Sequence, residues 1–378
     1  MRRSSRKFDY SLDTVLGRLP DPFVMNNGRR VTSVADWEIR RKEITDCAVK
    51  IEFGELPPDP ERFTVWRIYL SDDAQREVYR IICGTNEWDF AFSLKIYRPA
   101  APCCGLFFPT IVCGDDIPGV ISEEIISHIV RRGFILALFS RADIFPDISG
   151  IPSASGVLRV YQNIPLSAVG AWAWGYMRAI DAVYQIEGID LDKILAAGSG
   201  NSGKAALLAG ALDSRIAITA PNGSGNHGAG CWRYQMREYD EQGVLRASPD
   251  IAEMLSHHPD HLGPELAKYS GHEDVLPYDM HFFKALIAPR CLCETESYGY
   301  VESNPKGCYQ TYLAARRVYD FLDASGKVAA IYREGCEGLR LSDVKAVLRF
   351  AERQFNSQPL LAAYRRDVYP DMPRIFDF

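Results

Sequence analysis

The sequence predicts an α/β fold built on a mostly parallel, doubly wound sheet with helices on both faces. Three observations lead there. Short apolar runs alternate with amphipathic stretches, the connections between them are short, and a glycine-rich turn, Gly198 to Gly203, leaves one apolar run and opens a helical stretch. Strands and helices in alternation imply parallel strands joined by right-handed crossovers. No internal repeat, low-complexity linker or composition break divides the 378 residues. One domain over residues 1–378 is therefore expected, with 1–75 as a wrapping N-terminal segment and 357–378 as a C-terminal tail.

The elements follow in order. Phe90, Phe92, Leu94 and Ile96 alternate with smaller or polar residues, the period of a strand, and Leu106 to Val112 is an apolar run broken by Pro109. Ile121 to Arg132 reads as a helix stopped by Gly133, before a strand from Phe134 to Phe139. The alternation continues with helix 168–184, strand 194–197, helix 203–212 and strand 216–219. It ends with strand 290–293, helix 309–322, strand 328–332 and helix 342–355.

Composition excludes several classes. Hydrophobic residues make up 47% and charged residues 24%, the balance of a folded globular chain. Lys+Arg 43 against Asp+Glu 49 leaves a net charge of −6, without the basic footprint that phosphate backbones require, so no nucleic-acid partner is expected. No run of about 18 apolar residues is present for a membrane span. The N-terminus is basic but has no apolar stretch behind it, so the expected location is cytoplasmic. Ten cysteines in a chain of this length are expected to be free thiols. Cys103/Cys104 and Cys291/Cys293 lack zinc or redox spacing and lie in strand-like runs. In the cluster His257, His258, Asp260 and His261, Pro259 interrupts the helix that would align two histidines, so no metal is expected.

Ligands of a doubly wound sheet bind beyond the carboxyl ends of its strands, which directs attention to the turn at Gly198. Gly198, Gly200 and Gly203 satisfy a dinucleotide fingerprint, but the next strand runs into Ala220, Pro221 and Asn222 with no acid for a ribose. Gly198, Gly203 and Lys204 fit a phosphate loop except that Ala205 stands where a magnesium-binding hydroxyl is needed. No cofactor is expected. The third reading is a nucleophile elbow, the strained strand-to-helix turn that lifts a catalytic side chain above the sheet.

That reading becomes specific. GSGNSGKAALLAGALDSRI from Gly198 to Ile216, with 220–233, resembles the glucuronoyl esterases (carbohydrate esterase family 15), a family of α/β-hydrolase fold. Leu19 to Pro22, Val31 to Trp37, Arg141 to Asp147, Ala171 to Gly175, Leu276 to Arg290 and Asn304 to Gly307 agree, so the resemblance spans about 8–355. The family's elbow reads G-x-S-R-x-G-K. Here Gly203 and Lys204 match, but Gly200 occupies the serine position and Asn201 that of the oxyanion-holding arginine. The family's histidine falls in R-E-G-G-H-G, which here is Arg333 to Gly338 with Glu337 at the histidine position. The two places where the family carries its acid hold Gly223 and Gly299-Tyr300.

The resemblance, with these replacements, implies a repurposed, non-hydrolytic enzyme. It would act on a small carboxylate- or carbonyl-bearing metabolite by cofactor-free acid/base chemistry of lyase, isomerase or cyclase type. An inactive pseudo-esterase that binds a small molecule is the alternative, and an ester hydrolase with an unusual constellation the second. The expected catalytic residues are Glu337, Lys204 and Arg141, and the expected binding residues Ser199, Gly200, Asn201, Asp143, Asn222, His227, Trp232, Tyr300 and Cys336. The tail, with Tyr364, Tyr369, Ile375, Phe376 and Phe378, is expected to dock on the body or on a second subunit.

Overall fold

The computed structural model describes residues 8–100, 107–147 and 156–378. Cys103, Cys104 and Leu106 lie outside the described residues. A nine-stranded sheet runs through the molecule: β1 (Arg62–Leu70), β2 (Arg76–Gly84), β3 (Asp89–Tyr97), β4 (Phe108–Cys113), β5 (Ile135–Phe139), β6 (Ile189–Ser199), β7 (Ile218–Asn222), β8 (Cys291–Ser297) and β9 (Val328–Arg333). Their spatial order is β9-β8-β7-β6-β4-β5-β3-β2-β1. From β9 to β5 all neighbours are parallel, while β3 meets β5 antiparallel and β1, β2 and β3 form an antiparallel meander.

The sheet is buried on both faces, as its strand sequences require. On β5, Ile135, Ala137 and Phe139 join one core and Leu136 and Leu138 the other; on β4, Val112 and Ile111 divide the same way. The helices include α1 (Val34–Ile44), α2 (Glu123–Arg131), α3 (Ala168–Val183), α4 (Asn201–Leu212), α5 (His281–Ile287), α6 (Pro305–Phe321) and α7 (Leu341–Phe355). Helices α3 to α6 pack on one face, with Trp172, Trp174, Phe283 and Tyr319 buried between them and the sheet. On the other face, α2 contributes Ile125 and Ile129, and α7 contributes Val344, Val347 and Leu348.

The N-terminal region departs from the expected wrapping segment. Helix α1 starts at Ser33, whose hydroxyl accepts from the Asp36 amide while the Asp36 carboxylate accepts from the Ser33 amide, a reciprocal capping box. Residues 62–70 are strand β1, whose outer side chains Trp66, Ile68 and Tyr69 stay exposed at the sheet edge. The C-terminal tail lies on its own body. Tyr369, Ile375 and Phe376 are buried in the main core, and Leu19 N–H donates to the Ile375 carbonyl at 2.8 Å.

The turn between β6 and α4 has Gly200 at its apex, with φ 56° and ψ −118°. A Cβ at Gly198 would come within 2.5 Å of the Ser202 backbone, and one at Gly203 within 3.0 Å of the Gly198 carbonyl. Two of the glycines of the apparent dinucleotide fingerprint therefore let helix and strand close on each other. Gly200 differs, because nothing lies within 4 Å of where its Cβ would stand.

Two outcomes are expected. Gly200→Ser has room but must adopt a positive φ, which costs about 1–3 kcal/mol, measurable by denaturant unfolding. Lys284 on α5 reaches Glu294 on β8 at 2.6 Å, and both side chains are fully buried. Lys284→Met strands that carboxylate and should cost about 3–5 kcal/mol at neutral pH. Burial already holds the Glu294 pKa above the ordinary carboxylate value. The variant's deficit should therefore shrink as pH falls and the folded state takes up the proton, read as a pH series of Tm values.

Candidate active site

A cavity of about 590 Å³ opens at the carboxyl ends of the parallel strands. Ser199, Gly200 and Asn201 bring the β6–α4 turn into it, and Lys204 enters from the first turn of α4. Asp115 follows β4, Arg141 follows β5 and Asn222 ends β7. Tyr300 and Glu302 come from the segment after β8 and Glu337 from the loop after β9. Each side chain is placed by the end of a strand or the start of a helix, the station where an α/β sheet presents chemistry.

Arg141 is buried and organises one wall. One terminal nitrogen donates to Asp115 Oδ1 and to Ser202 Oγ, each at 3.2 Å, the other pairs with Asp147, and the guanidinium stacks over Trp172 at 5.2 Å. Its Nε has no partner among the described residues. Asp115 also accepts the Ser199 amide at 2.8 Å, which ties the elbow to the neighbouring strand end. Burial raises the Asp115 pKa, against the opposing hydrogen bonds of Ser202 and Ser199 and the charge of Arg141. Asp147 moves the other way. Burial pushes its pKa up, but the His261 hydrogen bond and the Arg141 charge outweigh burial and bring it down to about 2.

Lys204 is buried with no ion pair among the described residues; burial lowers its pKa to about 8, while the charges of Asp147 and Glu52 partly restore it. An ammonium in the first turn of a helix opposes the helix dipole as well, so the site favours an anionic or polar ligand facing it. Asn201 Nδ2 donates to Asp147 at 3.2 Å. The Ser199 hydroxyl donates to Asn222 Oδ1 at 2.9 Å, and Asn222 Nδ2 donates to Thr295 Oγ1 at 2.9 Å, so this serine is engaged within the floor. Across the cavity burial, then the charge of the nearby Glu337 carboxylate, raises the pKa of the Tyr300 phenol, keeping it neutral. Glu337 itself stands at the solvent-exposed rim.

The structure does not bring Asp143, His227, Trp232 and Cys336 into this cavity. Asp143 is exposed and lies outside the cavity lining. His227 is fully buried, with Nδ1 2.6 Å from Glu52 and Nε2 2.8 Å from the His261 carbonyl. Trp232 donates its indole N–H to the same Glu52 at 3.1 Å, and Tyr278 also bonds this carboxylate. These residues form a closed hub behind Lys204 whose polar groups satisfy each other. Cys336 is exposed on the Glu337 loop, away from the lining. The histidine cluster forms a cavity wall: His257 and His258 line it, and His258 stacks on His261 at 4.7 Å. Among the described residues no group of three potential ligands is placed to hold a metal ion.

Sequence reasoning missed Asp115, Asp147 and Glu52. Asp147 stood inside a quoted segment, Arg141 to Asp147, where an arginine and an aspartate six residues apart signal a pair closing a short loop.

The profile of the family described as "Glucuronyl esterase, fungi" matches residues 105–323. The chain is 32% identical over 313 residues to 4-O-methyl-glucuronoyl methylesterase 1 of Wolfiporia cocos, covering 81% of this chain and 72% of that protein. It is 30% identical over 314 residues to the 4-O-methyl-glucuronoyl methylesterase of Schizophyllum commune, covering 80% and 73%. Among solved structures, a family 15 glucuronoyl esterase from Caldicellulosiruptor kristjansonii superimposes with a TM-score of 0.78 at 23% identity, over 95% of this chain and 97% of that one. A mutant glucuronoyl esterase from Sporotrichum thermophile, solved with methyl 4-O-methyl-β-D-glucopyranuronate, gives 0.75 at 23% identity over 95% and 94%.

Two expectations fall. The relatives sharing about 30% of residues over most of the chain are named as esterases, which overturns both the non-hydrolytic lyase, isomerase or cyclase and the inactive binding protein. The inference of lost hydrolysis rested on the joint replacement of serine, histidine, acid and oxyanion arginine, yet an esterase site stripped of triad members still keeps catalysis from its remaining binding and electrostatic groups. The cytoplasmic location is overturned as well, because fungal glucuronoyl esterases are secreted enzymes. That expectation rested on the lack of an apolar leader, and such a lack decides nothing about where a chain works. By sequence and by fold, this chain belongs to the glucuronoyl esterase family of α/β-hydrolases.

Proposed function

We propose that this protein hydrolyses esters of a hexuronic acid, of the 4-O-methyl-glucuronoyl kind named for its relatives, by direct attack of water. The observation that carries the proposal is the open space above Gly200, inside a cavity that also presents a buried ammonium, a buried guanidinium and a rim carboxylate. Where relatives with the elbow serine place an attacking oxygen, this chain leaves room for a water molecule.

The roles follow from chemistry. Glu337, at the cavity rim near Tyr300, takes a proton from the attacking water as the oxygen bonds to the ester carbon. The negative charge that develops on the carbonyl oxygen faces the start of α4, whose first amides have no intrahelical acceptor, and the cations Lys204 and Arg141. Collapse of the tetrahedral intermediate breaks the ester C–O bond, and the leaving alkoxide takes the proton from Glu337. The uronic acid so formed gives its remaining proton to solvent water, and Lys204 balances the resulting carboxylate until release. Asp115 and Asp147 hold Arg141 so that its guanidinium keeps one orientation throughout.

The test is turnover of methyl 4-O-methyl-glucuronate. Glu337→Gln should lower kcat by about 10²- to 10⁴-fold with KM little changed, the usual contribution of a general base. Unchanged turnover would remove water activation by this carboxylate. Lys204 predicts a second signature. Its ammonium is lost as pH rises through about 8, so kcat/KM should fall there. Because the folded pKa lies below the unfolded one, the buried charge costs stability at neutral pH, and the cost fades as pH rises toward the unfolded value. Lys204→Met should therefore raise stability at pH 7, by up to about 3 kcal/mol, while lowering kcat/KM and abolishing the alkaline limb.

A further inference from the structure

We infer that Arg333 and Asp343 form a clamp whose function is to hold Glu337 over the cavity, which makes Arg333 a positioning residue for the water-activating carboxylate. The inference rests on the proposed hydrolytic reading, since it assigns Arg333 a role only through Glu337.

The loop after β9 cannot set its own shape. It runs Glu334-Gly335-Cys336-Glu337-Gly338, and Gly335 and Gly338 take φ values of 100° and 94°, a region open to glycine and not readily to other residues. The two glycines flanking Glu337 give the loop many alternative conformations. Carbonyls along it instead converge on one guanidinium. Arg333 Nη1 donates to the Cys336 carbonyl at 3.0 Å and the Glu334 carbonyl at 3.3 Å, and Nη2 donates to the Gly338 carbonyl at 2.5 Å. The carbonyls just before and just after Glu337 are thus both bound by one rigid planar group.

The guanidinium is fixed from behind. Its Nε lies 3.0 and 2.9 Å from the two carboxylate oxygens of Asp343, which is buried at the start of α7 and accepts the Arg340 amide at 2.9 Å. Asp343 therefore joins three things: the N-terminus of α7, the end of β9 and, through Arg333, the loop. On the cavity side the Gly299 amide donates to the Gly335 carbonyl at 3.1 Å, which fixes the loop from a second direction. The loop carrying Glu337 is thereby held through its backbone, by Arg333 on one side and by Gly299 on the other. A lysine at 333 would not substitute. Its point charge lacks the planar fork that meets Asp343 on one side and spread-out carbonyls on the other.

The experiment is a double-mutant cycle on Arg333 and Glu337, with turnover of methyl 4-O-methyl-glucuronate, Tm, and amide hydrogen exchange over residues 334–339 as readouts. Arg333→Ala should lower kcat by about 10- to 100-fold with little change in KM, the scale of a misplaced catalytic group. It should speed exchange in 334–339 while leaving the sheet protected. Arg333→Lys should fail to rescue, whereas added guanidinium ion should partly restore Arg333→Ala. In the Glu337→Gln background the Arg333→Ala change should cost nothing further, because a positioning role has nothing left to position. Equal losses in both backgrounds, or wild-type exchange in the loop of Arg333→Ala, would overturn the clamp while leaving Glu337 as base. A Glu337→Gln variant with full turnover would instead sink the hydrolytic role of Glu337, and the clamp with it. If Arg333→Ala does not fold, Asp343→Asn, which keeps a neutral acceptor for Arg333, carries the same cycle with a smaller expected loss.

Discussion

The site depends on one buried cation. Arg141 has few ways to exist in the interior, because a guanidinium removed from water must find carboxylates and hydrogen-bond acceptors to offset its lost hydration. It finds Asp115 beyond β4, Asp147 at the end of its own loop and Ser202 in α4. Asp115, in turn, captures the amide that leads into the elbow. Strand ends that could drift by an ångström are locked into one arrangement by charge rather than by apolar packing. The rest of the cavity inherits that geometry: the elbow sets Gly200 and the start of α4, and α4 sets the depth at which Lys204 is buried.

The parallel half of the fold was legible because burial on both faces forces strands to be short, unbroken apolar runs, as in Ile135 to Phe139. Helices between them carried visible stop signals such as Gly133. In the antiparallel half only β3 was legible, through the alternation of Phe90, Phe92, Leu94 and Ile96. In β1, the sequence RFTVWRIYL faces core with Phe63 and Val65 but solvent with Trp66, Ile68 and Tyr69, so apolar residues fall on both faces and the alternation vanishes. Helix α1 has almost no apolar periodicity, and its clearest mark was the Ser33/Asp36 cap. For the site, the glycine turn located the cavity, and Lys204, Arg141, Asn201, Asn222, Tyr300 and Glu337 lie around it. His227 and Trp232 were misplaced because a matching segment gives a residue's neighbourhood and not its direction. Both point inward to Glu52, 175 and 180 residues earlier in the chain. No local pattern announces such a pairing.

Family membership and the elbow's residue content pull in opposite directions, and the cavity suggests how they are reconciled. Hydrolysis by a serine needs an attacking side chain, a base and a place for the oxyanion. Attack by water needs only the last two, together with an empty position for the water. On the reading proposed above, the cations and the helix start would supply the place for the oxyanion, the rim carboxylate the base, and the open space at Gly200 the position for the water.

That bare apex has a kinetic consequence. A serine esterase attaches the acyl group to itself and then chooses between water and any nearby alcohol, so it can re-esterify a uronic acid in an alcohol-rich medium. With no side chain at residue 200 to carry the acyl group, the route proposed above would have no covalent way-station at the apex and no burst of alcohol ahead of acid. On that route, acid and alcohol come from one tetrahedral intermediate, so the two would appear together in each hydrolytic turnover.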